Sequence, residues 1–380
     1  MSSRRPLIAI DLASLAATMT GIGYCLKHLM LALLERDSAD YFQPHICLRS
    51  SNMRRVQRGA DLHLGAGRVP AKKFFFPGRL LHWMPVDRAY PDLDLFHHTS
   101  PTSRLRTRCK PMLATVYDIA WLRLPPEICP RPPHPNLERY PETIRAARQV
   151  LCISETTRRD VHEVLGVPLE RLHLAPLAAR PSFLPPSVAQ RAALAEKQAA
   201  QGAPYFVMLG TLEPRKNIPR VLEALASIRG KGFPHKLILA GMGGWGAAAV
   251  EQTIQRLHLE NAVVRTGYLD DARILELLWG AEALVMPSLY EGFGMPALEA
   301  LAAGTPVLAS RAGSLPEVVE HAALLVNPLE TEEIMAAMTR LIEDPGLRAD
   351  LRMRGLIQAA KFTWQRTAEV TWNAYRRALD

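Results

Sequence analysis

Short apolar runs alternate with amphipathic segments along nearly the whole chain, and this pattern restricts the possible folds more than any other feature. The runs of the first half are "LIAIDL", "PHICLR", "DLFHHT", "MLATVY", "QVLCIS" and "RLHLAP". Those of the second half are "YFVMLGT", "HKLILAG", "AVVRTGY", "ALVMPS" and "TPVLAS". Strands that alternate with helices in this way form parallel sheets covered by crossover helices.

The alternation stops between residues 178 and 204, where prolines are followed by an Ala/Gln-rich stretch, and it then starts again. A chain of 380 residues with 48% hydrophobic content is long enough to bury two cores. We therefore predict two doubly wound α/β domains, residues 1–185 and 204–360, joined by a linker at 186–203. The clearest helices are expected at residues 24–36, 155–165, 217–229 and 270–281, with another that begins near Met295.

Several protein classes are disfavoured by the composition. The chain has five cysteines, an odd number without a C-x-x-C pair, which argues against a disulfide framework and a structural zinc site. No uncharged apolar stretch reaches the roughly 18 residues of a membrane span. The N-terminus passes from two arginines directly into a strand-like run, unlike a secretion signal. We expect a protein of the reducing cytosol.

The net charge of +9 is distributed unevenly. Residues 1–200 contain 28 Lys and Arg against 17 Asp and Glu, whereas the rest contains 18 against 20. A basic half indicates either a solvated face or an anionic partner. We expect no nucleic acid partner, because no zinc finger, basic-leucine pattern or RNP-type motif accompanies the charge.

The cations are concentrated between residues 49 and 79, against the single acid Asp61. Three phenylalanines at 74–76 and Trp83 lie close by in the sequence. Basic residues beside exposed aromatic rings predict binding to an anionic membrane surface, although the phenylalanines could equally belong to the core. The cations are Arg49, Arg54, Arg55, Arg58, Arg68, Lys72, Lys73 and Arg79.

Polar loops after three apolar runs of the second half are candidates for ligand binding, because ligands of doubly wound sheets lie beyond the carboxyl ends of the strands. Arg215 and Lys216 follow "YFVML" and precede a predicted helix, which would suit a phosphate, although a solvated basic turn has the same pattern. The glycines of "GMGGWG" would let the backbone approach a ligand. Gly292 and Gly294 flank Phe293 before the next helix.

Two acids occur in or beside that last loop. Glu299 is expected in the first turns of the helix, where a carboxylate could accept hydrogen bonds from two ribose hydroxyls. Glu291, in the loop itself, could accept hydrogen bonds from the hydroxyls of a larger sugar ligand. The alternative is that both are ordinary solvated acids near a helix start.

These motifs together resemble the retaining glycosyltransferases that have the two-Rossmann-domain GT-B fold and the Glu-x7-Glu motif. The resemblance covers "LYEGFGMPALEALAAGTPVLAS", "LGTLEPRKN", "AGMGGWG", "GYLDDARILELLWGAEALVMPS" and "GSLPEVV" in the second half. In the first half it covers "MTGIGYCLKHLMLAL", "DLFHHTSP", "ATVYDIAWL" and "SETTRRDVHEVLGV". The segment 361–380, which contains "FTWQRTAEVTWNAY", resembles the crossover helix that packs back on the first domain.

The resemblance implies roles for individual residues. Arg215 and Lys216 would neutralise the diphosphate of a nucleotide-sugar donor, Glu299 would bind its ribose and Glu291 the transferred sugar. Catalysis is implied for Glu291, Asp118, Arg215 and Lys216. The implied donor-binding residues are Gly21, Gly23, Gly210, Arg215, Lys216, Gly241, Gly243, Tyr268, Leu269, Glu291, Gly292, Phe293, Gly294, Met295 and Glu299.

The resemblance also implies a reaction without a metal or other cofactor, since two cations and helix N-termini would replace a divalent ion. The sequence has no D-x-D motif at the end of a predicted strand. The one D-x-D match, Asp92-Leu93-Asp94, precedes a predicted strand and is interpreted as a turn. The implied chemistry is same-face attack with retention through an oxocarbenium-like state. The leaving phosphate would take the proton of the acceptor hydroxyl.

The identity of the sugar is less determined. Many family members have His-Asp where this chain has Tyr117-Asp118, which leaves His97 and His98 as alternative contacts to sugar or acceptor. Mannose or deoxymannose carried on GDP is the favoured donor, and UDP and dTDP sugars remain alternatives.

The expected acceptor is a lipid-linked saccharide of O-antigen or capsule at the inner membrane face. A nucleotide-sugar epimerase and a non-catalytic basic binding protein remain alternatives.

Overall fold

A computed structural model describes residues 6–11, 14, 21–35, 43–47, 85–89, 91–103, 105–130, 137–190, 193 and 203–380. The described residues divide into two compact units. The first lies within Met1–Arg123, Pro132–Ala178 and Thr363–Asp380, and the second within Leu124–Arg131 and Ala179–Phe362. In the middle of the chain the division between the units falls between Ala178 and Ala179. The sequence suggested domains at 1–185 and 204–360 with a linker at 186–203.

The first unit contains a six-stranded parallel sheet with the strand order β2-β1-β3-β4-β5-β6. Its strands are β1 (Leu7–Asp11), β2 (Gln43–Cys47), β3 (Leu95–His98), β4 (Met112–Val116), β5 (Gln149–Cys152) and β6 (Leu172–Leu174). Its helices before the boundary are α1 (Gly21–Glu35), α2 (Val86–Ala89), α3 (Ala120–Arg123), α4 (Tyr140–Ala146) and α5 (Glu155–Leu165). Short 3₁₀ turns cover Leu137–Arg139 and Leu169–Arg171.

The second unit repeats this architecture with the order β12-β11-β10-β7-β8-β9, again parallel. Its strands are β7 (Tyr205–Leu209), β8 (Lys236–Ala240), β9 (Val263–Gly267), β10 (Ala283–Met286), β11 (Val307–Ser310) and β12 (Leu324–Val326). Its helices are α6 (Ile218–Gly230), α7 (Ala247–Arg256), α8 (Asp271–Gly280), α9 (Met295–Ala302), α10 (Leu315–Val319), α11 (Thr331–Glu343) and α12 (Pro345–Ala359). A 3₁₀ turn at Pro214–Lys216 precedes α6.

Helix α5 illustrates how local sequence fixes an element. The hydroxyl of Ser154 accepts a hydrogen bond from the backbone N–H of Thr157 at 3.0 Å, which caps the N-terminus. Gly166 ends the helix in the left-handed conformation at φ 67°. The helix therefore spans Glu155–Leu165, the residues predicted from the sequence.

The last helix, α13 (Trp364–Leu379), belongs to the first unit. Its Trp364 ring stacks on His28 of α1, with ring centroids 5.6 Å apart, and Tyr375 is fully buried against β3. The two parallel α/β units and the helical C-terminus confirm the predicted fold class. None of the described helices is both long and apolar enough to cross a bilayer.

Candidate functional site

The candidate site of the second unit is built from the loops that follow β7, β8 and β10. These three strands are neighbours in the sheet, and all run parallel. The loops after them therefore emerge at one edge, where ligands of doubly wound folds bind. The sequence-predicted residues Arg215, Lys216 and Glu291 all lie in these loops.

Glu291 lies between the two cations. Its Oε1 accepts a hydrogen bond from Nζ of Lys216 at 2.7 Å, and its Oε2 accepts one from Nη1 of Arg215 at 2.9 Å. The residue is only 6% exposed. Burial alone raises the pKa of Glu291, but the charges of Arg215 and Lys216 outweigh it and lower the pKa to about 2. Glu291 is therefore a buried, ionised acceptor, and the reading as an ordinary solvated acid is wrong.

A second acid, Glu213, holds Arg215 from the other side. Its Oε2 accepts a hydrogen bond from Nε of Arg215 at 2.6 Å. The backbone carbonyl of Arg215 accepts one from the N–H of Leu289 at 2.7 Å, which fixes the main chain as well. Arg215 is thus oriented by contacts at both ends, an arrangement that the sequence analysis missed. Glu213, an acid two residues before Arg215, is the sequence signal that could have indicated this contact.

Asn217 explains why the basic turn keeps its shape. It adopts the left-handed conformation at φ 61°, which asparagine tolerates better than most residues. Its buried Nδ2 donates hydrogen bonds to the carbonyls of Pro287 at 3.0 Å and Pro328 at 2.6 Å. These bonds tie the turn to the loops after β10 and β12. This role of Asn217 was not predicted from the sequence.

The loop that carries Glu291 is held by the start of α10. Gly313 has φ 59°, and a Cβ there would lie 2.7 Å from the backbone nitrogen of Glu291. The hydroxyl of Ser314 donates a hydrogen bond to the Glu291 carbonyl at 2.9 Å. The motif "GSLPEVV" therefore supports Glu291 through close backbone contact, which only glycine permits at position 313.

Gly241 has a packing role. A Cβ at this position would lie 2.0 Å from the carbonyl oxygen of Gly210, so the loops after β7 and β8 pass each other in direct backbone contact. Gly243 and Tyr268, by contrast, are exposed, and Tyr268 is 56% exposed. Leu269 beside it is partly buried. The loops after β8 and β9 therefore present accessible groups beside the close backbone contact between Gly241 and Gly210.

The residues around the start of α9 are less accessible than the sequence suggested. Gly292, Phe293 and Gly294 are buried, and the Phe293 ring packs edge-on against Phe362 at 5.8 Å. Met295 is the first residue of the helix and is partly buried. Backbone groups of this segment remain the part expected to contact a donor.

Glu299 lies on α9 and is bound to a residue that the sequence analysis did not consider. Its two carboxylate oxygens accept hydrogen bonds from Nε and Nη2 of Arg180, at 2.6 and 2.8 Å. Glu299 is 4% exposed, and burial raises its pKa while the hydrogen bonds and charge of Arg180 act against that shift. The solvated-acid reading fails here too. Arg180 is distant in the chain, so no local signal indicated the pair.

In the first unit, Tyr117 and Asp118 follow β4. The Oδ1 of Asp118 accepts a hydrogen bond from the N–H of Ala120 at 3.1 Å, at the start of α3. Tyr117 is buried, and burial raises the pKa of its hydroxyl well above the ordinary value. Gly21 and Gly23 lie in the first turn of α1, the former exposed and the latter buried.

His97 and His98 have structural surroundings. Both ring nitrogens of His97 are engaged, Nδ1 with the Tyr375 hydroxyl and Nε2 with the Thr115 hydroxyl, each at 2.8 Å. Burial lowers the pKa of His97 to about 3. His98 is buried between the rings of Phe96 and Tyr140, and burial lowers its pKa to about 4. Both histidines therefore pack inside the first unit, and their contact with sugar or acceptor stays a prediction.

Within the part of the chain that the structure describes, no three His, Cys, Asp or Glu side chains come together as a metal site would require. The Oδ2 of Asp94 accepts a hydrogen bond from the N–H of Leu7 at 2.6 Å, so Asp94 holds the start of β1.

The predicted membrane-binding segment, with its cations at 49–79 and Trp83, lies outside the described residues.

Comparison with known proteins adds independent findings. Residues 190–356 match the family model of glycosyl transferases group 1. The chain is 31% identical over 300 residues to O-antigen chain mannosyltransferase B of Escherichia coli, covering 78% of each protein. It is 31% identical over 242 residues to MMP alpha-(1->4)-mannosyltransferase of Mycolicibacterium hassiacum, covering 62% of this chain and 56% of that protein.

A solved structure shares the fold at low sequence identity. The crystal structure of Anabaena Alr3699/HepE in complex with UDP-glucose superposes with a TM-score of 0.74 over 97% of this chain and 99% of that one. The two sequences are 20% identical.

Proposed function

The chain belongs to the glycosyl transferases group 1, and from this membership we propose that it is a retaining enzyme that moves a hexose from a nucleoside-diphosphate sugar to a growing, lipid-linked polysaccharide. The observation that carries the proposal is the position of Glu291 between Arg215 and Lys216 at the edge of the second sheet. The names of the two curated relatives favour mannose as the transferred sugar, with deoxymannose as the next candidate.

The two cations are proposed to bind the donor diphosphate. An ammonium group has three N–H donors and a guanidinium has five, so contacts to Glu291 leave capacity for phosphate oxygens. Their positive charge would stabilise the diphosphate that leaves as the glycosidic bond breaks. Because Glu213, Glu291 and the Leu289 backbone fix them in place, little reorganisation is needed when the donor binds.

Glu291 is proposed to accept hydrogen bonds from hydroxyls of the transferred sugar. It is ionised at neutral pH, because its pKa is held at about 2, so it acts as an acceptor. The acceptor hydroxyl would attack from the face that the diphosphate leaves, and its proton would pass to the leaving phosphate. The stereochemical outcome is retention, and the proposal requires no protein nucleophile.

Other parts of the proposal rest on the first unit. Asp118 is proposed to take part in catalysis, and Tyr117, where many family members have histidine, to contact the sugar through its hydroxyl. The excess of Lys and Arg in residues 1–200 and the expected lipid-linked acceptor favour peripheral attachment at the inner face of the cytoplasmic membrane. Two cations in place of a metal cluster favour catalysis without a divalent ion.

A donor panel tests the proposal. The protein is incubated with GDP-mannose, GDP-rhamnose, UDP-hexoses and dTDP-hexoses, with and without bacterial lipid extract, and release of nucleoside diphosphate is followed. We expect one donor to release nucleoside diphosphate, and this release to increase with lipid extract. When the sugar of that donor is labelled, the label should appear in the lipid fraction. Isomerisation of the donor sugar without transfer would favour the epimerase instead, and binding without turnover would favour a non-catalytic protein.

A further inference from the structure

Arg180 connects the first residues of the second unit to two carboxylates. Its Nε and Nη2 donate hydrogen bonds to Glu299, and its Nη1 donates one to Oδ1 of Asp271 at 2.5 Å. Its guanidinium carbon lies 4.1 Å from the centroid of the Phe183 ring. A planar guanidinium with these partners is restricted to one orientation, and the paired hydrogen bonds restrict the Glu299 carboxylate in the same way.

Burial makes this partner important for the charge of Glu299. Arg180 is itself only 8% exposed. Burial raises the pKa of Glu299, Arg180 opposes this, and the nearby Asp271 adds to it. Among the described residues, Arg180 and Asp271 are the charged groups that act on Glu299. Without Arg180, a carboxylate out of contact with water would face a second carboxylate, which favours its protonation.

The pair leaves Glu299 able to bind a ligand. An ionised carboxylate has about four lone-pair sites, and the bonds to Arg180 use one on each oxygen. We propose that Arg180 is a positioning residue of the donor site, because its paired hydrogen bonds orient the Glu299 carboxylate to accept hydrogen bonds from the two ribose hydroxyls of a nucleoside diphosphate. This inference rests on the proposed function, in which Glu299 binds the ribose.

Nucleotides with and without the ribose hydroxyls test it. Binding of GDP, UDP and their 2′,3′-dideoxy counterparts is measured by calorimetry for the unchanged protein, Arg180→Met and Arg180→Lys. The unchanged protein is expected to prefer the ribonucleotide by about tenfold or more. Arg180→Met should lose that preference while its affinity for the dideoxynucleotide stays the same. Arg180→Lys, which keeps the charge without the paired geometry, should retain part of it.

A pH series separates positioning from simple structural support. The ratio of ribonucleotide to dideoxynucleotide affinity cancels the titration of the phosphates and isolates Glu299. In Arg180→Met the pKa of Glu299 should rise further, so the preference should return only as the pH is raised. In the unchanged protein the preference should persist to lower pH. Arg256→Met is the matched control, because Arg256 is exposed and its partner is Glu223.

Each outcome decides the inference. If Arg180→Met keeps the full preference for the ribonucleotide, the positioning role of Arg180 is overturned. Tighter ribonucleotide binding by Arg180→Met would also overturn it, because Arg180 would then compete with the ribose for Glu299. If Arg180→Met does not fold, an undiminished preference in Arg180→Lys overturns the orienting role. If the unchanged protein itself binds neither nucleotide or shows no preference, the ribose assignment of Glu299 in the proposed function fails, and this inference fails with it.

Discussion

Nζ of Lys216 donates a hydrogen bond to Oε1 of Glu291 at 2.7 Å, across a separation of 75 residues in the chain. The contact joins the loops that follow β7 and β10, which are adjacent strands. Both groups are buried, and the charge of Lys216 helps to lower the pKa of Glu291. The pair therefore connects the proposed diphosphate site to the proposed sugar site, and the loss of either residue should affect both.

The cations provide the most direct test of the donor site. Arg215→Ala and Lys216→Ala would each remove one proposed charge-assisted hydrogen bond to the diphosphate, worth about 1.5–3 kcal/mol. We expect kcat/KM for the donor to fall about tenfold to a hundredfold in each variant. Arg256→Ala, at an exposed arginine, should leave it unchanged. Near-normal activity in both variants, with thermal melting showing a folded protein, would remove the diphosphate assignment.

Glu291 should make stability depend on pH in the acidic range. Its pKa of about 2 in the folded protein lies below the ordinary value, so ionised Glu291 stabilises the fold above about pH 4.5 and this contribution is lost as the pH falls toward 2. The free energy of unfolding in urea should exceed that of Glu291→Gln by about 3 kcal/mol at neutral pH. The difference should shrink steadily below about pH 4.5.

The control for this measurement is Glu260→Gln, which alters an exposed acid. Its unfolding free energy should follow that of the unchanged protein at every pH. A constant difference between Glu291→Gln and the unchanged protein down to about pH 3 would contradict the buried ion pairs.

The hydrogen bond between His97 and Tyr375 should affect stability and not catalysis. Tyr375→Phe removes one buried hydrogen bond and should lower the free energy of unfolding by about 0.5–1.5 kcal/mol. His97→Ala leaves the hydroxyls of both Tyr375 and Thr115 without this partner and should cost about 1–3 kcal/mol or more. KM for the donor should stay the same in Tyr375→Phe. A raised KM without loss of stability would restore the sugar-contact alternative.

Much of the fold follows from periodicity, because strands and helices of a doubly wound domain carry their own local signals. Helix α5 begins and ends at the predicted residues, since Ser154 and Gly166 cap it. Strand β12 (Leu324–Val326) was not predicted, whereas the equally short β6 (Leu172–Leu174) was. The place of β12 at the sheet edge is set by pairing with β11, which sequence does not reveal.

The alternation of strands and helices was enough to expect Arg215, Lys216 and Glu291 at one edge of the sheet, because loops after parallel strands emerge on the same side. That β7 and β10 are adjacent, which brings Glu291 into contact with both cations, could not be inferred from their order along the chain. The partner of Glu299 could not be inferred either, because Arg180 is 119 residues away and reaches it only through tertiary packing. The same holds for His97, whose partner Tyr375 is on the C-terminal helix.

Activity should survive removal of divalent ions. The two cations beside Glu291 are proposed to neutralise the leaving diphosphate, which is the task that a Mg²⁺ or Mn²⁺ ion performs in other transferases. Donor turnover measured after dialysis against EDTA should match that of untreated protein, and added magnesium should not raise it. Complete loss that magnesium or manganese reverses would contradict the metal-independent proposal.

The basic segment at 49–79 should attach the protein to anionic membranes. Each cation near such a surface contributes about 1 kcal/mol before screening, and the neighbouring aromatic residues would enter the interface. Binding to vesicles that contain anionic lipid should therefore be strong at low salt and weaken sharply toward physiological salt. Changing Lys72, Lys73 and Arg79 to Glu should reduce it.

A control with the same change in net charge separates a local surface from the overall charge of the protein. It replaces three exposed cations elsewhere, Lys231, Arg366 and Arg377, by Glu. Sedimentation with vesicles should show that this variant still binds while the Lys72, Lys73 and Arg79 variant does not. Equal recovery of the unchanged protein with neutral and anionic vesicles at low salt would refute membrane attachment. It would leave the transferase proposal intact, because the proposed diphosphate and sugar contacts, Arg215, Lys216 and Glu291, belong to the second unit.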